Sequence, residues 1–498
     1  MKAVCFWPSV FLCSTVIWNS IVLTVQTSQP CGEENGGGIC PEGNTCCLLS
    51  DGRGSGCIPS DMGALNAVCC DDGETGCAVG YQCVQERFII NNKDNGGKSN
   101  LQKNFCVNHS GKDDPLVQRM PRYRLCHTDE IRTVHGLRVE AIERKERENR
   151  EELVAELAYY SSHGPIEQLP HNLDWDLIFV LVHGSGRNAD DYFCSGTAMV
   201  ELQSRYDNVL LIAPLFYGEH DPRPINHPFL YWEDSGSGPW RYGADALGPA
   251  AISSYAAMDA MMDSIRRHVP NLPHIVMAGH SAGGQFVQRW TLLTDRWESQ
   301  RMHAVVANPS SYAYLTPLRF VDGVWKVPSI SDNTSCPHYN QWEWGLDDGG
   351  PIEVPYRKSV ANNGTELVER FLLHRKVVYL AGGADRCNVS GMDRTGWCYS
   401  HGLETECVDE LQGPNRRKRS RRYFQSLQRL PITRSAGSRG PPSHVRYLVP
   451  GVGHDHALMF QSEVGLHALF EAFQNEEKEE PRETGLSTRF DWDVDIPS

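Results

Sequence analysis

The sequence predicts an α/β fold, a mainly parallel sheet flanked by helices, with a small disulfide-rich module at its N-terminal side. Beyond His171, six short apolar runs are separated by longer polar or amphipathic stretches, the pattern of buried parallel strands joined by helical crossovers. Ten cysteines crowd between Cys31 and Cys106 among Gly, Asp and Asn, with too few aliphatic residues to build a core. The 498 residues, 40% of them hydrophobic, exceed one typical domain and suffice for one large core.

The chain begins with the marks of a cleaved signal peptide over residues 1–28. Lys2 supplies a positive start, an apolar stretch runs from Val10 to Val25, and Thr27 and Ser28 follow. Ser14, Asn19 and Ser20 interrupt a stretch already short for a membrane anchor. No later segment has the length and apolarity of a transmembrane helix, so no stable membrane span and a secreted, extracellular location are expected. Removing Cys5 and Cys13 with the signal leaves sixteen of eighteen cysteines, an even number suited to pairing in an oxidising compartment. N-glycosylation sequons at Asn108, Asn333, Asn363 and Asn388 agree with secretion, whereas Asn308 precedes Pro309 and is no acceptor. The net charge of −15 argues against nucleic acid as a partner, because phosphate binding needs a basic surface.

Within residues 31–106 the vicinal pairs Cys46-Cys47 and Cys69-Cys70, with AVCCDDGETGCAVGYQC from Ala67 to Cys83, resemble the granulin module of stacked, bridge-pinned hairpins. Ile58 and Gly76 stand where that family carries further cysteines, so the resemblance implies that one whole bridge is absent. It also raises an extracellular partner for the module. Zinc is the rival for a cysteine cluster, but interspersed histidines and a clean pair of C-x2-C units are lacking. No metal is expected.

The large domain is expected over residues 120–474. Its first part is ambiguous: Glu143 to Glu152 suits a helix, while the flanks HGLRVEA and LVAELAYY suit two early strands joined by a polar turn. The strands are preferred because a sheet follows. Its runs start at Leu177 (LIFVLV), Val209 (VLLIAPL), His274 (HIVMAG), His303 (HAVVAN), Val377 (VVYLAG) and Val445 (VRYLVPG). In open α/β sheets chemistry gathers beyond the carboxyl ends of strands.

After HIVMA comes Gly279-His280-Ser281-Ala282-Gly283-Gly284, followed by the helix-compatible QFVQRWTLL. This is G-x-S-x-G in strand–turn–helix context, where small neighbours let a strained turn lift the serine above the sheet. A serine hydroxyl needs a base, and the base a carboxylate. Asp385 follows VVYLAG, and His454 follows VRYLVPG within Val452-Gly453-His454-Asp455-His456. The order Ser, acid, His, with the G-x-G-H-D loop, resembles the α/β-hydrolases of the serine esterase and lipase type. That resemblance spans Leu177 to Phe460 and implies Ser281, Asp385 and His454 as the catalytic residues. It favours His454 over His456. The backbone N–H of Ala282 would form one half of an oxyanion hole. His183-Gly184-Ser185-Gly186 resembles the family's H-G-x-G loop and implies Ser185, with Gly186 as its rival, for the other half.

The expected activity is cleavage of an ester-type bond in a small-molecule or polymer-linked substrate, with no cofactor. Acyltransferase, thioesterase or peptidase chemistry would use the same residues. A catalytically inactive extracellular binding protein is the reading from another class. Aromatic insertions Phe216–Tyr242 and Val324–Tyr356 would wall a pocket or form a lid, though core packing suits each tryptophan alone. Cys194, Cys336, Cys387, Cys398 and Cys407 would stiffen the loops of this face. The run Arg416 to Arg422 reads as an exposed, solvated loop, with dibasic processing as the sharper alternative. An acidic disordered tail is expected over 475–498.

Overall fold

The computed structural model describes residues 134–139 and 155–473 with short internal gaps, and the backbone of short strands between 44 and 124. The expected signal segment, the side chains of the cysteine-rich region, the acidic tail, and Asn333 and Asn363 lie outside the described residues. Asn108 ends a strand described by its backbone alone, and Asn388 is exposed.

Eight strands form the central sheet: β1 (His135–Val139), β2 (Ala155–Ser161), β3 (Leu177–Val182), β4 (Val209–Leu215), β5 (His274–His280), β6 (Met302–Ala307), β7 (Lys376–Gly382) and β8 (His444–Val449). Their spatial order is β1-β2-β4-β3-β5-β6-β7-β8. From β4 to β8 every neighbour is parallel, whereas β1 and β2 pair with each other, and β2 with β4, in antiparallel fashion. The two early segments are therefore strands.

β3 shows why these runs become interior strands. All six of its residues are buried, and they alternate between two cores: Ile178, Val180 and Val182 on one face, Leu177, Phe179 and Leu181 on the other. A continuous apolar run is required when both faces of a sheet are covered. On the first face pack α2 (Ser254–His268), α3 (Ala282–Leu293), α4 (Gly364–His374) and α5 (Arg416–Leu427), through residues such as Met261, Phe286, Phe371 and Leu427. On the second pack α1 (Ala189–Glu201), α6 (His456–Gln461) and α7 (Glu463–Phe470), through Met199, Phe460 and Leu469.

Register brings the strand ends level. Val182 of β3 pairs with Gly279 of β5, Gly279 with Val306 of β6, Ala307 with Leu380 of β7, and Gly382 with Val449 of β8. The residues that follow β3, β5, β6, β7 and β8 consequently meet along one edge of the sheet. Among the described residues no helix is long and apolar enough to cross a membrane.

Candidate active site

Ser281 stands between β5 and α3 with φ 58° and ψ −122°, a conformation costly for any residue but glycine and one that needs its surroundings to hold it. The neighbouring glycines provide for that. A methyl group on Gly279 would lie 2.3 Å from the Gly283 carbonyl oxygen, and one on Gly284 2.6 Å from that of Ala307. Backbone thus passes backbone at distances no side chain allows. The Ser281 N–H donates to the Ala307 carbonyl at 2.9 Å, and the Ser281 carbonyl accepts from the Gln285 N–H at 3.0 Å. All twelve residues of α3 are buried, so the turn is anchored on both sides.

His454 Nε2 lies 2.9 Å from Ser281 Oγ, and His454 Nδ1 lies 2.9 Å from Asp385 Oδ2. Paired with a carboxylate, Nδ1 carries the proton and Nε2 is left to accept the serine's. Asp385 is fully buried and His454 nearly so, while Ser281 is partly exposed. The three residues from strand ends β5, β7 and β8 therefore form one continuous relay from solvent to a buried carboxylate.

Ala282 begins α3, where the first N–H groups have no acceptor within the helix. Ser185 is exposed in the turn after β3, closed by the Arg187 N–H on the Gly184 carbonyl at 3.2 Å. A methyl group on Gly184 would sit 3.7 Å from Ser281 Cβ, so this turn abuts the serine. His183 supports it from below: Nδ1 donates to the Gly184 carbonyl at 2.7 Å and Nε2 accepts from the Phe216 N–H at 3.1 Å. Burial pulls His183 down to about 4, so it is neutral at pH 7.

The two histidines two residues apart have separate places. His456 Nε2 bonds Ser195 Oγ at 3.1 Å, and its ring stacks on Tyr192 at 3.9 Å. Tyr192 in turn meets His280 Nδ1 at 3.2 Å. Asp455 accepts from the Leu458 N–H at 2.8 Å and caps α6.

Asn308 is a site residue the sequence reading passed over. Its Nδ2 donates to the Gly453 carbonyl at 3.0 Å, and its Oδ1 accepts from the Gly382 N–H at 2.8 Å. It thereby ties the loop before Asp385 to the residue before His454. Its φ of 43° suits asparagine better than most side chains. An asparagine directly after a strand run was the available signal.

The basic run Arg416 to Arg422 is a correction. It is not an exposed loop but the first turns of α5, with Arg416, Arg419 and Ser420 buried. Arg419 donates to the carbonyls of Gly413, Ser310 and Glu404. Such hydrogen bonds are what makes a buried guanidinium tolerable.

Three tryptophans of the aromatic insertions take the core-packing role expected of each alone. Trp232, Trp240 and Trp342 are buried, and Trp240 stacks on Phe216 at 4.8 Å and lies 4.8 Å from the His183 ring. Trp240 and Phe216 thus pack beneath the turn after β3. Trp344 is partly buried and donates to Asp409 Oδ1 at 3.1 Å. Of the cysteines, Cys194 lies in α1 and is disulfide-bonded. Cys336 pairs with Cys407, and Cys387, two residues after Asp385, pairs with Cys398. Among the described residues, no group of three or more His, Cys, Asp or Glu is placed to hold a metal ion.

The strand order and the elbow at Ser281 define an α/β-hydrolase fold. In sequence, no family model and no curated protein matches the chain. Among solved structures it is similar to a poly(3-hydroxybutyrate) depolymerase from Bordetella parapertussis, at 21% identity and TM-score 0.41, covering 67% of this chain and 88% of that one. It is also similar to poly(aspartic acid) hydrolase-1 from Sphingomonas sp. KT-1, at 18% identity and TM-score 0.40, covering 68% and 98%. A siderophore hydrolase from Aspergillus nidulans is similar at 12% identity and TM-score 0.33, covering 70% and 96%.

Proposed function

We propose that this chain is a secreted serine hydrolase that cleaves an ester-type bond through an acyl-enzyme. The observation that carries the reading is the relay Ser281–His454–Asp385, with both hydrogen bonds at 2.9 Å and the serine on a strained elbow. Ser281 Oγ attacks the acyl carbonyl while His454 Nε2 takes its proton, and Asp385 stabilises the imidazolium. The N–H groups of Ala282 and Ser185 receive the oxyanion, which is worth several kcal/mol in such sites. Collapse breaks the ester bond, and His454 returns its proton to the departing alcohol. Water then repeats the sequence on the acyl group and frees Ser281. None of these steps calls on a cofactor.

Secretion is supported by the N-terminal segment, by an exposed sequon at Asn388, and by the Cys336–Cys407 and Cys387–Cys398 bridges. The substrate is an ester-type small molecule or polymer-linked group, and the cysteine-rich region would engage an extracellular partner.

The test is labelling of the secreted protein with a fluorophosphonate probe and turnover of a short-chain p-nitrophenyl ester, beside Ser281→Ala. Both signals are expected to vanish in the variant. A folded wild-type protein that neither labels nor turns over would instead favour an inactive binding protein. Asn308→Ala supplies a finer check. Losing the two hydrogen bonds that join the acid and histidine loops is expected to lower kcat by roughly 10- to 100-fold with KM little changed, as for a misplaced catalytic group. Steady-state kinetics on the same ester reads this directly.

A further inference from the structure

The sequence offers Arg416 to Arg422 as a block of surface charge, yet its first turn is docked onto the loop that carries Asp385. Asn415 Nδ2 donates to the Arg386 carbonyl at 2.9 Å. The Arg417 N–H donates to the Asp385 carbonyl at 3.2 Å, and Arg417 Nη1 to the Gly383 carbonyl at 3.1 Å. Between them Arg416 enters the interior. Its Nη1 lies 3.7 Å from Asp385 Oδ1, the carboxylate oxygen on the far side from His454. The Arg416 side chain is 1% exposed and that of Asp385 0%. Ser400 Oγ accepts from Nη1 at 2.9 Å and the Gly402 carbonyl from Nη2 at 2.8 Å, which fixes the fork.

We infer that Arg416 is a positioning residue for the proposed relay: its buried positive charge holds Asp385 in place and keeps His454 in the neutral, proton-accepting form at lower pH. This rests on the hydrolase reading above. A cation behind the carboxylate offsets part of the negative charge that His454 sees. Protonation of the imidazole is then less favourable, so the base survives to more acidic pH. Other titratable groups among the described residues lie near the relay. His280, 4.6 Å from the His454 ring, is fully buried and held well below its ordinary value by burial first and by His454 and His456 next. His456 is held at about 4 by burial. Tyr312 lies within electrostatic reach of Asp385 and is pushed above its ordinary range by burial. Arg416 itself is pulled down by burial and pushed back up by Asp385 and then Glu404. Glu404 is already paired with Arg241 at 2.9 Å.

The experiment is the pH profile of kcat/KM for ester turnover in wild type, Arg416→Gln, Arg416→Met, Arg416→Lys and Arg419→Gln, with fluorophosphonate labelling rates over the same range. The acidic limb reports protonation of the base. Removing the charge is expected to move that limb upward by about one pH unit, as a unit charge at this range in a partly screened interior would, and to lower kcat roughly tenfold. Arg416→Met keeps the volume, so it carries the test if the glutamine variant does not fold. Arg416→Lys keeps the charge and is expected to leave the limb in place. Arg419→Gln removes the guanidinium that makes three hydrogen bonds from the same helix and is expected to lower stability without moving the limb. An unmoved limb in the folded charge-free variants, or an equal shift in Arg419→Gln, overturns the role of Arg416. Ser281→Ala keeps the two readings apart: turnover that survives it overturns the relay, whereas turnover lost in it with an unmoved limb overturns Arg416 alone.

Discussion

His454→Ala is expected to lower kcat/KM for a p-nitrophenyl ester by roughly 10⁵-fold, whereas His456→Ala is expected to cost less than about tenfold. The two residues stand two positions apart on one loop, and the difference follows from what each touches. His454 is the only one of the pair described within 3 Å of Ser281 Oγ, and it joins that atom to Asp385. Without it the serine keeps its proton at neutral pH, and an alcohol is then a weak nucleophile. His456 has no described bond to Ser281 or Asp385 and meets the relay through its neighbours Tyr192 and His280. Its loss leaves Ser195 Oγ short of a buried partner, at a stability cost of about 1–2 kcal/mol. Steady-state kinetics and urea unfolding on both variants read the two quantities. Equal loss of turnover in the pair would remove the assignment of His454 as base. The double variant Ser281→Ala, His454→Ala is expected to be no worse than either single one, because members of one relay act as a unit.

Much of this site was legible in the sequence because its parts are local. A six-residue apolar run such as Leu177–Val182 has no amphipathic stripe and is too short for a buried helix, which suits a strand covered on both faces. Glycines around a serine, and an acid and a histidine directly after later runs, announce the elbow and its partners in chain order. What was not legible depends on tertiary partners. Seven residues holding six cations look like solvated charge, and nothing nearby in sequence shows that Ser400, Gly402 and Asp385 receive Arg416. Asn308 was weighed only as a sequon because its bonds reach Gly382 and Gly453, far along the chain. The tryptophans at 232, 240 and 342 were ambiguous for the same reason. Whether a ring lines a cavity or fills a core is decided by what packs on its second side, here Phe216 and Phe286 on Trp240.

Gly283→Ala is expected to destabilise the domain by about 3 kcal/mol, at the upper end of overpacking costs, and to lower kcat by at least roughly 100-fold. A methyl group here would lie 2.3 Å from the Val182 carbonyl oxygen and 2.4 Å from that of His183. Both are backbone atoms at the end of β3, so no rotamer change relieves the contact. Alanine's better helix propensity, about 1 kcal/mol over glycine, offsets only part of this. The remaining relief is displacement of β3 from α3, and β3 leads directly into the turn that abuts Ser281 at Gly184. Stability and turnover should therefore fall together, although Gly283 touches neither Asp385 nor His454 in the described contacts. Gly364→Ala is the control. That residue opens α4 with nothing within 4 Å of a methyl group, so the same chemical change should be neutral or slightly stabilising. Urea midpoints and kcat on both variants decide it. A Gly283→Ala protein with wild-type midpoint and turnover would mean that the close passage of α3 over β3 does not hold the elbow in place.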